Sequence, residues 1–198
     1  MDEMLQDTLA PAMPELRKDP KGIISLLKEL KEKKEANLLC QVMRILEKGG
    51  TKPGLSHYTV GISSCAAAKH WEQALQVFGS MPKANLTPDV ISYNSTISAC
   101  EKGGQWQLAM QLFGSMPKAK LTPDVISYNS TISACETGGQ WQLALQLFAS
   151  MPKAKLTPDV ISYNAVLDAC FNRAPGNSLF AQALQRGVYG NLVQKGPT

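Results

Sequence analysis

The amino-acid sequence predicts an all-α fold, a solenoid built from antiparallel helix pairs. Distinctive residues recur at a fixed step of 35 positions, and the apolar residues within each step follow helical spacing. Gly-Gly pairs and prolines interrupt the apolar stretches at regular places, as helix ends do. One helix pair cannot cover its own apolar faces, so the pairs are expected to stack and bury a core between neighbours.

The 35-residue period is strict through the middle of the chain. It relates Tyr58, Tyr93, Tyr128 and Tyr163; Cys65, Cys100, Cys135 and Cys170; Trp71, Trp106 and Trp141; and Pro53, Pro88, Pro123 and Pro158. The segments 90–124 and 125–159 differ at only three positions, which indicates a recent internal duplication.

Within one unit the spacing predicts two helices. Tyr93, Ile97 and Cys100 lie at i, i+4 and i+7, on one face of a helix from about Ile91 to Glu101, and the following Gly-Gly pair ends it. The second apolar stripe, which Pro117 terminates, consists of Trp106, Ala109, Met110, Phe113 and Met116. Asp89 and Asp124 directly precede first helices, where a carboxylate can accept backbone N–H bonds as an N-cap.

The period also divides the chain into segments. These are an N-terminal segment 1–19, a degenerate capping repeat 20–54, the first unit 55–89, the second unit 90–124, the third unit 125–159, a partial unit 160–186 and a tail 187–198. The capping repeat keeps the apolar rhythm in register, whereas the partial unit loses the pattern after its first helix.

Composition excludes several classes of protein. The 198 residues are 44% hydrophobic and 18% charged, with a net charge of +4, which favours an anionic partner without requiring one. No apolar run approaches the roughly 18 residues that a membrane span needs, so no membrane partner is expected, and the start Met1-Asp2-Glu3-Met4 is acidic where a transit peptide would be basic. Five cysteines without a Cys-x-x-Cys argue against a disulfide framework or a zinc module.

The recurring aromatic and cysteine residues are interpreted as core. Their positions lie on the helix faces that must meet a neighbouring helix, and equivalent residues of stacked helices lie about 8–10 Å apart, too far for four cysteines to converge on one metal. His57 and His70 have no nucleophile or carboxylate at catalytic spacing. No enzymatic activity, metal or cofactor is therefore expected.

The stretches Val90-Ile91-Ser92-Tyr93-Asn94, Gly103-Gly104, 108–116 and Thr122-Pro123-Asp124 together resemble the pentatricopeptide repeat. The related tetratricopeptide repeat steps by about 34 residues and places its signature differently. The resemblance implies a right-handed α-α superhelix that binds single-stranded RNA, about one base per repeat. It further implies a setting in the chloroplast or the mitochondrion, in the processing, stability, editing or translation of transcripts.

The resemblance also implies which residues read the bases: the fifth and last residues of each unit, with the second residue as a packing surface. The resulting pairs are Thr59 with Asp89, Asn94 with Asp124, and Asn129 with Asp159. In the family's code a Thr–Asp pair favours guanine and an Asn–Asp pair favours uracil, so the reading is G-U-U, 5′ to 3′ along the chain. Ile91 and Ile126 would supply the packing surfaces and Lys102 a phosphate contact, whereas Ser56, Ala67 and Thr137 depart from the family pattern.

Other interpretations stay open at the level of sequence. The aspartates can be helix caps alone, whereas an asparagine in a first helical turn has a propensity cost and no evident packing partner, which favours a functional role for Asn94 and Asn129. The lysines that recur after each second helix form either a solvated face or a basic edge along an RNA backbone. A helical-repeat scaffold that binds a protein partner, or a decayed array that binds nothing specific, would have the same periodicity.

Overall fold

A computed structural model describes residues 22–25, 28–29, 42 and 53–173 of the chain. Within these residues every regular element is helical. Residues 53–173 form α1 (Leu55–Ala67), α2 (Trp71–Ser80), a short 3-10 helix (Pro82–Ala84), α3 (Val90–Lys102), α4 (Trp106–Ser115), α5 (Val125–Thr137), α6 (Trp141–Ser150) and α7 (Val160–Arg173). The predictions for 1–19, for a second helix in the partial unit and for the tail 187–198 lie outside the described residues.

Helix α3 shows how the local sequence sets its own ends. It begins one residue earlier than predicted because the Asp89 carboxylate caps its first turn, with Oδ1 accepting the Ser92 N–H at 2.8 Å. It also ends one residue later than predicted, at Lys102. At the other end Gly104 takes a left-handed conformation (φ +68°), which glycine adopts without steric cost. Its N–H donates to the Glu101 carbonyl at 3.0 Å, so the chain turns directly into α4.

The helices stack as the sequence predicts. Helices α1, α3, α5 and α7 pack side by side in chain order, and α2, α4 and α6 each pack on the first helix of their own unit and on that of the next. The described part of the chain is thus an all-α solenoid of antiparallel helix pairs, which confirms the predicted fold class. None of the described helices is both long and apolar enough to cross a bilayer.

Aromatic pairs join each unit to the following one. The ring of Phe78 meets that of Tyr93 edge-on with centroids 4.9 Å apart, and Phe113 meets Tyr128 in the same way at 4.8 Å. Tyr93 and Tyr128 are buried, as predicted for core residues. The interfaces between units therefore repeat with the same step as the sequence.

The core extends into the predicted capping repeat. Ile23 and Val42 are buried and belong to the same hydrophobic cluster as Tyr58 and Ile62 of the first unit. Residues 22–25 and 28–29 are helical, and Lys28 and Glu29 are exposed, as expected for the charged face of a terminal repeat.

Candidate functional site

The candidate site lies where the first helices begin, along one edge of the solenoid. Asp89, Asp124 and Asp159 directly precede α3, α5 and α7, and Asn94 and Asn129 are the fifth residues of α3 and α5. Because these helices stack side by side, the fold presents the predicted pairs in a row, one per unit.

In the second unit the two predicted residues are hydrogen-bonded to each other. Asn94 Nδ2 donates to Asp124 Oδ1 at 3.0 Å. The same Oδ1 accepts the backbone N–H of Ser127 at 2.8 Å, and the Ser127 hydroxyl lies 2.6 Å from Asn94 Oδ1 and 2.9 Å from Asp124 Oδ1. The pair and the third residue of the next unit thus form one polar network that bridges α3 and α5.

The third unit repeats this network. Asn129 Nδ2 donates to Asp159 Oδ1 at 3.0 Å, and the Ser162 hydroxyl lies 2.6 Å from Asn129 Oδ1 and 3.0 Å from Asp159 Oδ1. The Ser162 backbone N–H, followed by the side chains of Asn129 and Ser162, stabilises the carboxylate and lowers the pKa of Asp159 against a smaller opposing effect of burial. Asp159 is therefore ionised at neutral pH and acts as a hydrogen-bond acceptor.

The first unit is arranged differently. Thr59 Oγ1 donates to the Leu55 carbonyl of its own helix at 2.9 Å, and no hydrogen bond joins Thr59 to Asp89 in the described structure. Asp89 Oδ1 accepts from both the backbone N–H and the hydroxyl of Ser92, at 2.8 and 2.6 Å. The aspartate of every unit caps a helix, but only the two units with an asparagine have a hydrogen bond between the two residues of the pair.

One expectation about the asparagines was wrong. Asn94 and Asn129 have packing partners: their side chains are only 8% and 7% exposed and are bonded to the following unit. Sequence reasoning missed this because it treated each first helix alone, whereas the partners come from the next unit.

The serines that bond to the three capping aspartates were not singled out from the sequence. Ser92, Ser127 and Ser162 are fully buried and stand three residues after an aspartate. A signal was available, because a side chain at the third helical position can bond back to the N-cap residue. In α5 and α7 the N–H of Asp124 and Asp159 donates to the serine hydroxyl at 3.1 Å.

The predicted packing surfaces are exposed. Ile91 and Ile126 are each 61% exposed although isoleucine is normally buried. Ile161, the equivalent residue of the partial unit, is 63% exposed, and Val160 beside it is 71% exposed. A row of large apolar side chains thus lies next to the polar pairs.

The basic residues that the sequence analysis singled out are exposed. Lys102, the last residue of α3, is exposed, and its neighbour Glu101 is held by a hydrogen bond from the Ser133 hydroxyl at 3.0 Å, while burial raises the pKa of the Glu101 carboxyl. The lysines that follow the second helices, all exposed, are Lys83, Lys118, Lys120, Lys153 and Lys155.

The cysteines and His57 have structural environments. Cys65, Cys100, Cys135 and Cys170 are buried free thiols, and burial raises the pKa of Cys100 and of Cys135 to about 11. The buried His57 accepts a hydrogen bond at Nδ1 from the Gly54 N–H at 3.0 Å, next to the start of α1. Among the residues that the structure describes, no three His, Cys, Asp or Glu side chains are grouped so that they could hold a metal ion.

Solved structures with the same fold include RNA-bound proteins. The PPR domain of Arabidopsis thaliana protein-only RNase P 1 in complex with tRNA has a TM-score of 0.72 and 14% identity, over 91% of this chain and 94% of that one. The pentatricopeptide repeat protein PPR10 in complex with an 18-nucleotide psaJ RNA element has a TM-score of 0.73 and 19% identity, over 96% of this chain. The chain spans only 28% of PPR10. Nuclear proteinaceous RNase P 2 from A. thaliana has a TM-score of 0.68 and 11% identity, over 85% of this chain and 38% of that one.

Sequence comparison identifies the family. A search of the curated proteins with this sequence found no match. A model of the PPR repeat family, in contrast, matches residues 53–102, 88–137 and 123–172, which together cover more than half of the chain. The same residues carry the 35-residue period and the stacked helix pairs. The chain therefore belongs to the pentatricopeptide repeat family.

Proposed function

We propose that this protein binds single-stranded RNA without catalysing a reaction on it, and that its units select the bases G-U-U, 5′ to 3′ along the chain. One observation carries the proposal. Two successive units hold the same Asn–Asp pair in the same hydrogen-bonded geometry, beside an exposed isoleucine. Helix capping accounts for the aspartates, but it does not account for the exposed apolar row.

The Asn–Asp pair is chemically suited to uracil. The Watson–Crick edge of uracil offers a ring N–H donor between two carbonyl acceptors, and repeats of this kind read one unstacked base through two or three side chains. Asn94 uses one N–H of Nδ2 for Asp124, which leaves its second N–H to donate to a uracil carbonyl. The hydrogen bonds to the Asp124 carboxylate all end on Oδ1, so Oδ2 remains able to accept from the ring N–H, directly or through water.

The Thr–Asp pair of the first unit suits guanine better. Guanine presents two adjacent donors, its ring N–H and its amino group, and the Asp89 carboxylate is an acceptor for them. Thr59 donates its own proton to the Leu55 carbonyl, so its oxygen is left mainly as an acceptor. Two acceptors facing a base that presents two donors favour guanine over uracil.

Exposed isoleucines and lysines would complete the site. Ile91 and Ile126 offer apolar surfaces against which the faces of unstacked bases can pack, and such packing is tolerant of base identity. Lys102 can contact a phosphate, and the net charge of +4 favours a polyanion. Base identity would then be read by the pairs, and affinity would come from packing and charge together.

The setting that we propose is RNA metabolism in a chloroplast or a mitochondrion. The family to which the chain belongs supports the compartment, and neighbours whose structures are RNA complexes support the role in RNA metabolism. The proposed units are those of the 35-residue period, with 20–54 as a capping repeat and 160–186 as a partial unit.

Fluorescence-anisotropy binding tests the function. Short labelled RNAs carrying GUU in an unstructured A-rich context would be compared with permutations of those three bases, at two salt concentrations. We expect a preference for GUU that Asn94→Ala and Asn129→Ala relax, and an affinity that falls with salt at about −0.7 in log–log slope per phosphate neutralised. Salt-dependent binding without base preference would reduce the protein to a backbone binder, and an absence of RNA binding would favour a protein-binding scaffold.

A further inference from the structure

The geometry points to Ser127 and Ser162 as positioning residues for base selection. We infer that each serine hydroxyl fixes which end of the preceding asparagine amide faces the bound base, and so separates uracil from cytosine at the second and third bases. The inference rests on the proposed function, since it assigns to these serines a part in reading the base.

The amide of Asn94 has two chemically opposite ends, and each end has a matching partner. Oδ1 lies 2.6 Å from the Ser127 hydroxyl, a donor, and Nδ2 lies 3.0 Å from Asp124 Oδ1, an acceptor. Rotating the amide by half a turn would place its oxygen against the carboxylate and leave it without the serine donor. The two partners together select one orientation.

The serine itself is held in position. Its hydroxyl oxygen accepts the Asp124 N–H at 3.1 Å, which leaves its single proton to donate. Of the two acceptors in reach, Asn94 Oδ1 at 2.6 Å is nearer than Asp124 Oδ1 at 2.9 Å. Ser127 is fully buried, so water cannot readily replace the hydroxyl if it is removed. Ser162 has the corresponding distances of 3.1, 2.6 and 3.0 Å to the third-unit pair.

The orientation matters because uracil and cytosine differ in what they present to the amide. With Nδ2 directed to position 4 of the base, the asparagine donates to the 4-carbonyl of uracil, whereas the 4-amino group of cytosine would set donor against donor. A rotated amide would accept from that amino group instead. An asparagine without its serine partner is oriented by the Asp124 carboxylate alone, so it should lose part of its discrimination between the two pyrimidines.

Ser92 is a matched control within the same chain. It has the same position in its helix, is equally buried, and donates its backbone N–H and its hydroxyl to Asp89 at 2.8 and 2.6 Å. Ser92 does not orient an asparagine side chain, because the preceding unit has Thr59 at that position, and the Thr59 hydroxyl bonds to its own helix. Removing the Ser92 hydroxyl thus removes a hydrogen bond to the capping aspartate without changing the orientation of any asparagine side chain.

The experiment compares the wild-type chain with Ser127→Ala and Ser92→Ala on RNAs carrying GUU, GCU and GUC. We expect Ser127→Ala to lower the uracil-to-cytosine affinity ratio at the second base by about threefold to tenfold, the scale of one hydrogen bond. The ratio at the third base should be unchanged, and Ser92→Ala should leave both ratios unchanged. Ser162→Ala makes the converse prediction, with the loss at the third base alone.

The possible failures are distinct. The positioning role is overturned if the Ser127→Ala variant keeps its second-base ratio, and equally if it loses both ratios to the same extent. In both cases the preference of the wild type for uracil would still support the proposed readout. A wild type that binds without preferring uracil at either base would overturn the proposed readout itself. Intact discrimination at the third base in Ser127→Ala also shows that the variant is folded.

Discussion

Gly103 lies against Trp71 of the preceding unit so closely that it has no room for a side chain. A Cβ atom on Gly103 would lie 2.9 Å from Trp71 Cβ and closer still to the indole ring. Gly138 has the same relationship to Trp106 one unit later, with 2.8 Å to the Cβ atom. The first glycine of each of these Gly-Gly pairs is thus a contact between units, and the second forms the turn.

We expect Gly103→Ala to destabilise the protein by about 1–3 kcal/mol, because the indole of Trp71 must move to admit the methyl group. Gly114→Ala is the matched control, since a Cβ there meets nothing within 4 Å and Ala149 already occupies the equivalent position. The control should be neutral or stabilising by up to about 1 kcal/mol, because alanine is the better helix former. Urea unfolding measures both, and equal destabilisation would contradict the packing argument.

Asn94→Thr should change the base read by the second unit. The substitution recreates the Thr–Asp pair of the first unit, whose threonine bonds to its own helix and leaves the neighbouring aspartate to its cap contacts. The preferred RNA should shift from GUU to GGU, with a change of about tenfold in the ratio of affinities, the scale of a single hydrogen bond to a charged group. Anisotropy titrations on the two RNAs check this, and a retained preference for GUU would contradict the assignment of Asn94.

The second position of each unit should govern affinity without affecting stability. Ile91 is 61% exposed and Ser56, its counterpart in the first unit, is also exposed. Ile91→Ser should weaken RNA binding several-fold and Ser56→Ile should tighten it, because the apolar surface against the base is lost in one case and gained in the other. The melting temperature should change little in either variant. An RNA affinity that is unchanged in both variants would show that the second position of the unit does not contribute to RNA binding.

Lys69→Gly should stabilise the fold. Lys69 has a φ of +62°, a left-handed conformation that is strained for a residue with a Cβ, while Gly104 and Gly139 have φ of +68° at the equivalent positions. We expect a gain of about 1 kcal/mol in the free energy of unfolding. The control is Lys83→Gly, an exposed lysine outside the left-handed region, which should lose a few tenths of a kcal/mol. A loss of stability in Lys69→Gly would contradict the strain argument.

The thiols of Cys100 and Cys135 should be unreactive in the native protein. Both are fully buried, and burial raises their pKa to about 11, so the nucleophilic thiolate is scarce at pH 8. An alkylating reagent should modify them only on addition of denaturant, in parallel with the loss of helical circular dichroism. Peptide mass spectrometry would resolve each site, and rapid labelling of either cysteine in the native protein would contradict the buried assignment.

The repeat made much of this structure predictable from sequence. The 35-residue step and the i, i+4, i+7 spacing of Tyr93, Ile97 and Cys100 predicted the helix pairs and their stacking. The carboxylate after each proline predicted the N-caps that Asp89, Asp124 and Asp159 form. These features are local, or they repeat a local pattern, so they can be recognised from the amino-acid sequence alone.

The contacts between units were decided by the tertiary structure alone. Asn94 meets Ser127 across 33 positions and Gly103 meets Trp71 across 32, and neither spacing belongs to a helical or turn pattern. These separations bring residues together only because the first helices pack side by side at one specific register. The sequence by itself determined the helix pairs, the apolar faces on which they pack and the aspartates that cap them. Only stacking decided that each asparagine is held by the next unit, because the partner's position depends on how two helices pack and not on either helix alone.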